Sequence, residues 1–195
     1  MDDALLRLKS LFSGHQTYLA CYLVGLLVSY LLTPLIMLLA RRMGAVDKPL
    51  HRKVHRAPTP MMGGLAIFFG TWIPLLLLSF HDNGITQKLG EGSNGVKLLL
   101  IFVAGAAMLL VGLRDDLKGM NAKRKFLFQL PIAIGLVAAG VRFEVVQVPG
   151  LGEVDLGFFG SVLSVIWIVG ITNALNLIDG IDGLATGIAF FVAGT

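Results

Sequence analysis

The sequence predicts an all-α polytopic membrane protein, a bundle of transmembrane helices, on three observations. First, 55% of the 195 residues are hydrophobic, only 14% are charged, and the mean hydropathy is +0.80. Soluble domains carry about 25% charged residues, and one core has no room for this much apolar surface, so lipid is the expected solvent. Second, the apolar residues gather into runs near the length of about 20 residues that a helix needs to cross about 30 Å of hydrocarbon. Third, the basic residues are unevenly divided among the connections between those runs, as they are in chains with a fixed membrane orientation.

Taken in order, the runs predict spans at residues 18–40, 61–80, 96–113, 126–141 and 156–178, with a sixth beginning at 184 and running to 195. The third and fourth are short and are expected to borrow a turn from their flanks. Pro34, Pro74 and Pro131 lie inside spans, which a bundle tolerates because neighbouring helices re-satisfy the freed backbone groups. Between spans, residues 81–95 are rich in glycine and asparagine and read as a turn. Residues 142–156 hold Val145-Val146-Gln147-Val148, then Pro149-Gly150, then Val154, which reads as a small hairpin. Cys21 is the single cysteine, so an intrachain disulfide is excluded. The first apolar run is too long for a cleaved signal peptide and is followed by Arg41 and Arg42 instead of a small-residue site. Leu19-Ala20-Cys21 is no lipoprotein site, because its apolar run follows the cysteine.

With the N-terminus outside, the inner connections are residues 41–60, 114–125 and 179–183. They hold eleven of the sixteen basic residues: Arg41, Arg42, Lys48, Arg52, Lys53, Arg56, Arg114, Lys118, Lys123, Arg124 and Lys125. That bias predicts an N-out chain with these loops in the cytoplasm. It also accounts for the net charge of +4 without nucleic acid as a partner.

The same three connections contain unusual chemistry. The first runs from His51 to Pro60 and leads into Met61-Met62-Gly63-Gly64. Its cations suit an anionic lipid or a multiply charged phosphate, and its prolines and glycines suggest a shaped backbone; a positive-inside anchor explains the Lys/Arg count alone. The second is Arg114-Asp115-Asp116-Leu117-Lys118. Adjacent carboxylates at a membrane interface suit Mg²⁺ or a base, or else form a solvated pair balanced by the flanking cations. The third, Asn173 to Gly183, repeats a polar residue every third position: Asn173, Asn176, Asp179, Asp182. A three-residue step keeps side chains about 60° apart, so Asn173 and Asn176 share one helix face. Gly180 and Gly183 let the chain turn at the interface. Amides and carboxylates at a membrane are costly and normally functional, the structural alternative being helix-to-helix glue. Together the three supply carboxylates, cations and a base, the requirements of metal-assisted phosphoryl chemistry.

These stretches resemble the polyprenyl-phosphate N-acetylhexosamine-1-phosphate transferases, the glycosyltransferase 4 membrane family of MraY-type and WecA/TagO-type enzymes. The resemblance is carried by His55 through Gly64, by Gly112-Leu113-Arg114-Asp115-Asp116, by Lys125-Phe126 with Gln129, and by Asn173 through Ala185. It implies transfer of N-acetylhexosamine 1-phosphate from a UDP-sugar to polyprenyl phosphate at the cytoplasmic membrane face, releasing UMP, with Mg²⁺ (or Mn²⁺) required. By that likeness Asp115 deprotonates or positions the lipid phosphate with Asp116 beside it. Asn176 and Asp116 are metal ligands, and Asn173, Asp179, Asp182, His55 and Thr59 bind the nucleotide sugar. The partners it implies are the lipid, the UDP-sugar and the membrane, with a homodimer left open. The setting it implies is the bacterial inner membrane, at the start of a cell-envelope polysaccharide such as lipopolysaccharide or teichoic acid. The spacing after Asp115-Asp116 resembles the WecA/TagO type and points to GlcNAc; Thr59-Pro60-Met61-Met62 leans toward the MraY type, whose donor carries a MurNAc-pentapeptide. Members of the family are longer, so residues 1–195 are expected to be the N-terminal half of the fold, one membrane domain, inactive by itself. Two readings of other classes compete. A cation transporter would use the aspartates as an ion path, although transport sites lie near the midplane. A non-catalytic scaffold leaves the Asn/Asp spacing unexplained.

Overall fold

In the computed structural model the described residues are 2–47, 58–80, 84–150, 152–178 and 187–188. The chain is all-helical apart from two short β-ladders, and it divides into two compact units. The first holds α1 (Asp2–Met43), β1 (Val46–Asp47), β2 (Thr59–Pro60), α2 (Gly64–Leu78), α3 (Gly84–Gly90) and α4 (Asn94–Lys118). The second holds α5 (Ala122–Ala138), β3 (Val145–Val148), β4 (Gly152–Asp155) and α6 (Gly157–Ile178).

Three helices are long and apolar enough to cross a membrane: α1 over Gln16–Met43, α4 over its whole length, and α6. α2 is apolar but shorter, at 15 residues. The protein is a helical membrane protein, and leucine, valine and phenylalanine lie exposed along the flanks of these helices, as lipid-facing side chains must.

In the first unit, α1 ends where Arg41 and Arg42 meet the negative end of its dipole. Gly44 (φ 73°) reverses the chain, and the Ala45 amide reaches back to the Ala40 carbonyl at 2.9 Å. That six-to-one bond and the left-handed glycine make a Schellman stop. β1 then pairs antiparallel with β2, Val46 opposite Pro60 and Asp47 opposite Thr59, and the Met61 amide donates to the Ala45 carbonyl at 2.9 Å. The exit of α1 is thereby stitched to the entry of α2, with the basic segment 48–57 between them in sequence. A small core of Ile36, Ala40, Ala45, Met62 and Ala66 sits at this junction, with Leu32, Leu65 and Leu113 packed against it.

α1 and α2 approach closely higher up. A Cβ on Gly25 would lie 2.7 Å from the Gly70 carbonyl oxygen, and one on Gly70 would collide with Ser29 Oγ. Ser29 Oγ donates to the Ala66 carbonyl at 3.2 Å, so a hydroxyl bonds across the contact that the glycines open.

Residues 84–90, expected as part of a turn, form the short helix α3, with Thr86 and Leu89 half-buried three residues apart on one face. One turn of apolar spacing outweighs the glycine-rich composition there. α4 and α5 each begin ahead of the apolar runs that mark them, at Asn94 and Ala122, because polar residues at span ends continue the helical hydrogen bonding. Asn121 caps α5, its side chain accepting from the Arg124 amide at 2.9 Å.

The second unit contains the expected hairpin. β3 and β4 pair from Val145↔Asp155 to Val148↔Gly152, with Gly150 (φ 88°) in the turn. Asp155 Oδ1 accepts from the Gly157 amide at 2.8 Å at the entrance to α6. Ser164, only 2% exposed, accepts from the Phe143 amide at 2.8 Å and donates to the Gly160 carbonyl at 2.6 Å, which fastens the segment leading into the hairpin to α6. Most of the expected sixth span, 184–195, lies outside the described residues.

Candidate active site

The carboxylate pair lies inside a helix, not in a loop. Hydropathy falls at Arg114, but α4 continues to Lys118 and stops at Gly119 (φ 66°), whose amide bonds to the Asp115 carbonyl at 2.7 Å. Neighbours on a helix point about 100° apart, so Asp115 and Asp116 face different directions. Asp116 Oδ2 accepts from the Met62 amide at 2.9 Å. Met62 is buried and has φ 73°, the one left-handed non-glycine residue among those described. Such a conformation persists only where its surroundings hold it, and the Asp116 carboxylate is part of that support. Asp116 is thus a latch on the segment that carries exposed Thr59 into α2. Asp115 and Asp116 are both half-buried.

In the second unit, Asn173 and Asn176 share a face of α6, and both bond to α5. Asn173 Nδ2 donates to Gln129 Oε1 at 2.7 Å and to the Val169 carbonyl at 2.8 Å. Lys125 Nζ donates to Asn176 Oδ1 at 2.9 Å. Lys125 and Gln129 are four residues apart on α5, and Asn173 and Asn176 three apart on α6, so two polar rungs join the helices side by side. Gln129 is 2% exposed, in a helix otherwise rich in leucine and phenylalanine.

The sequence marks Gln129 only as part of a family pattern, and Lys125 as that and as one of the inner basic residues. Their spacing from each other, matched to that of the asparagines, is the signal that pairs them. Met62 carried no signal, since a left-handed methionine cannot be seen in composition. Thr59, Asp115 and Asp116 belong to the first unit, and Asn173 and Asn176 to the second. His55, Asp179 and Asp182 lie outside the described residues.

The donor chemistry bears on the implied metal. Mg²⁺ takes carboxylate and amide oxygens, and it is commonly held by one or two carboxylates plus substrate phosphates. Asp115 and Asp116 fit that chemistry. Asn176 fits less well as arranged, because its ligating oxygen is bonded to the Lys125 ammonium. Among the described residues, no three His, Cys, Asp or Glu side chains gather as a metal cage.

The glycosyl transferase family 4 model matches residues 98–195, just over half of the chain, including the α4 carboxylates and both rungs between α5 and α6. The chain belongs to glycosyl transferase family 4. Curated relatives of this family 4 chain include the probable undecaprenyl-phosphate N-acetylglucosaminyl 1-phosphate transferase of Bacillus subtilis, 40% identical over 86% of this chain and 44% of that protein. The decaprenyl-phosphate N-acetylglucosaminephosphotransferase of Mycobacterium tuberculosis is 39% identical over 88% of this chain and 43% of its own length. The phospho-N-acetylmuramoyl-pentapeptide-transferase of Desulfosudis oleivorans is 33% identical over 92% and 49%. The chain spans about half the length of these curated relatives. No solved structure matches it.

Proposed function

We propose that this family 4 protein transfers N-acetylglucosamine 1-phosphate from UDP-GlcNAc to polyprenyl phosphate at the cytoplasmic membrane face. The observation that carries the proposal is the 40% and 39% identity, over nearly nine-tenths of the chain, to transferases named for a polyprenyl phosphate and N-acetylglucosamine. The relative named for the muramoyl-pentapeptide is 33% identical, which favours GlcNAc as the donor sugar.

In the proposed reaction a phosphate oxygen of the lipid attacks the phosphorus that bears the sugar. A new P–O bond forms, the bond to the UMP oxygen breaks, and UMP leaves with the electron pair. No covalent enzyme intermediate is needed. Asp115 takes the proton from the lipid phosphate or fixes its oxygen for attack, a general-base and positioning role. Asp116 keeps the Thr59–Gly64 segment in shape through the Met62 amide. Asn173, Thr59, His55, Asp179 and Asp182 are the proposed contacts to the nucleotide sugar. Mg²⁺, with Asp116 and Asn176 as its proposed ligands, would supply neutralisation of the diphosphate charge when bound. For Asn176 to serve as a ligand, its oxygen would have to be released by the Lys125 ammonium that now donates to it. The proposal includes the bacterial inner membrane, an N-terminus outside, and service at the start of a cell-envelope polysaccharide. The 195 residues alone are expected to be inactive.

The test uses the protein at its natural full length in detergent, with radiolabelled UDP-GlcNAc, polyprenyl phosphate and Mg²⁺. The expected outcome is label in the lipid phase and released UMP, abolished by chelation and lowered at least 100-fold by Asp115→Asn, the scale of a lost general base. Label from the muramoyl-pentapeptide donor alone would move the chain to the other donor class. Failure with both donors would leave the transporter reading in front.

A further inference from the structure

Gln129 has no role in the reading so far. A carboxamide buried to 2% exposure in an apolar helix is costly unless its polar atoms are bonded, and its oxygen accepts from Asn173 Nδ2 at 2.7 Å. The same Asn173 nitrogen also donates to the Val169 carbonyl at 2.8 Å. An amide nitrogen has two hydrogens, so both are committed to the protein. A flipped Asn173 would set its oxygen against Gln129 Oε1 and the Val169 carbonyl, two acceptors facing a third. One orientation survives, with Oδ1 on the side away from both partners. Among the described residues, nothing donates to that oxygen.

We propose that Gln129 is a positioning residue that fixes the Asn173 carboxamide as a hydrogen-bond acceptor for an N–H or O–H of the nucleotide sugar. The inference rests on the transferase reading and deepens it by giving Asn173 a polarity. Gln129 itself touches no substrate. Without it only the Val169 carbonyl holds the Asn173 amide in that orientation, and the acceptor end is presented less firmly.

The test is steady-state kinetics of the full-length protein in detergent, varying UDP-GlcNAc at saturating polyprenyl phosphate, with thermal unfolding measured in parallel. Gln129→Leu is expected to raise KM for UDP-GlcNAc about 3–10-fold, the scale of one hydrogen bond, with kcat little changed. Asn173→Leu should do the same or more, and the double variant should be no worse than Asn173→Leu, because one residue acts through the other. Gln129→Asn keeps the amide but withdraws its oxygen by one methylene. It is expected to raise KM as Gln129→Leu does even where the two variants unfold at different temperatures, whereas in a purely structural role KM would follow the unfolding temperature. An unchanged KM in both Gln129 variants, or losses that multiply in the double variant, would overturn the inference while the transferase reading stands. A wild-type protein that transfers nothing sinks both together.

Discussion

At the residue scale, the two aspartates of α4 have separable work. Asp116 holds the Met62 amide, and Met62 sits in a backbone region that L-residues avoid. Asp116→Ala removes the acceptor and leaves a part-buried N–H unsatisfied, a loss of about 1–3 kcal/mol. Asp116→Asn keeps an oxygen in place and should cost well under half of that. Thermal unfolding in detergent measures both. The activity assay then separates two roles: Asp116→Asn with full stability and full transfer makes Asp116 a latch only, whereas full stability without transfer restores it to the chemistry. Sequence reasoning placed the pair at the correct helix end but in a connection, because hydropathy stops at Leu113 while backbone hydrogen bonding continues to Gly119. It also foresaw the shared face of Asn173 and Asn176, since that follows from helical geometry alone. Their partners Gln129 and Lys125 are 44 and 51 residues away in sequence, and such pairing depends on how helices dock, which local spacing does not encode.

At the element scale, the α1–α2 crossing makes a sharper claim than "small residues pack closely". The nearest obstacle to a Cβ on Gly25 is the Gly70 backbone carbonyl, which cannot move without its helix, whereas the nearest on Gly70 is the Ser29 hydroxyl, with the Gly25 carbonyl oxygen next at 3.2 Å. Gly25→Ala should therefore force the helices apart and cost about 1–3 kcal/mol, the usual scale of overpacking. Gly70→Ala should cost less, and part of its cost should vanish in a Ser29→Ala background, where the nearest obstacle is gone. Thermal unfolding of the three variants gives the order; equal losses for Gly25→Ala and Gly70→Ala/Ser29→Ala would show that the helices do not cross at this point. The hairpin was legible because Pro149-Gly150 between valine-rich strands is a strong local signal, whereas its anchorage through Ser164 was not. A serine in an apolar helix announces a hydrogen bond without naming the partner.

At the scale of the whole molecule, the question is which side of the membrane each end of α5 faces. Lys123, Arg124 and Lys125 stand in the first turn of α5, against the positive end of the helix dipole, an arrangement that helix stability disfavours. A requirement outside the helix must keep them there, and the cytoplasmic preference for Lys and Arg supplies one. The 17 residues of α5 rise about 25 Å and carry the chain from that basic end toward the β3–β4 hairpin, where Glu144, Glu153 and Asp155 outnumber Arg142. The two ends are thus opposite in charge as well as in position. In a Cys21→Ala background, single cysteines at Lys123 and Glu153, both exposed in wild type, read the topology directly. A membrane-impermeant maleimide should label Glu153→Cys in intact spheroplasts and Lys123→Cys only after permeabilisation. The reverse pattern would put the carboxylate end of α4 outside the cell, away from any pool of UDP-sugar, and would remove the proposed transfer on topological grounds before any assay of chemistry.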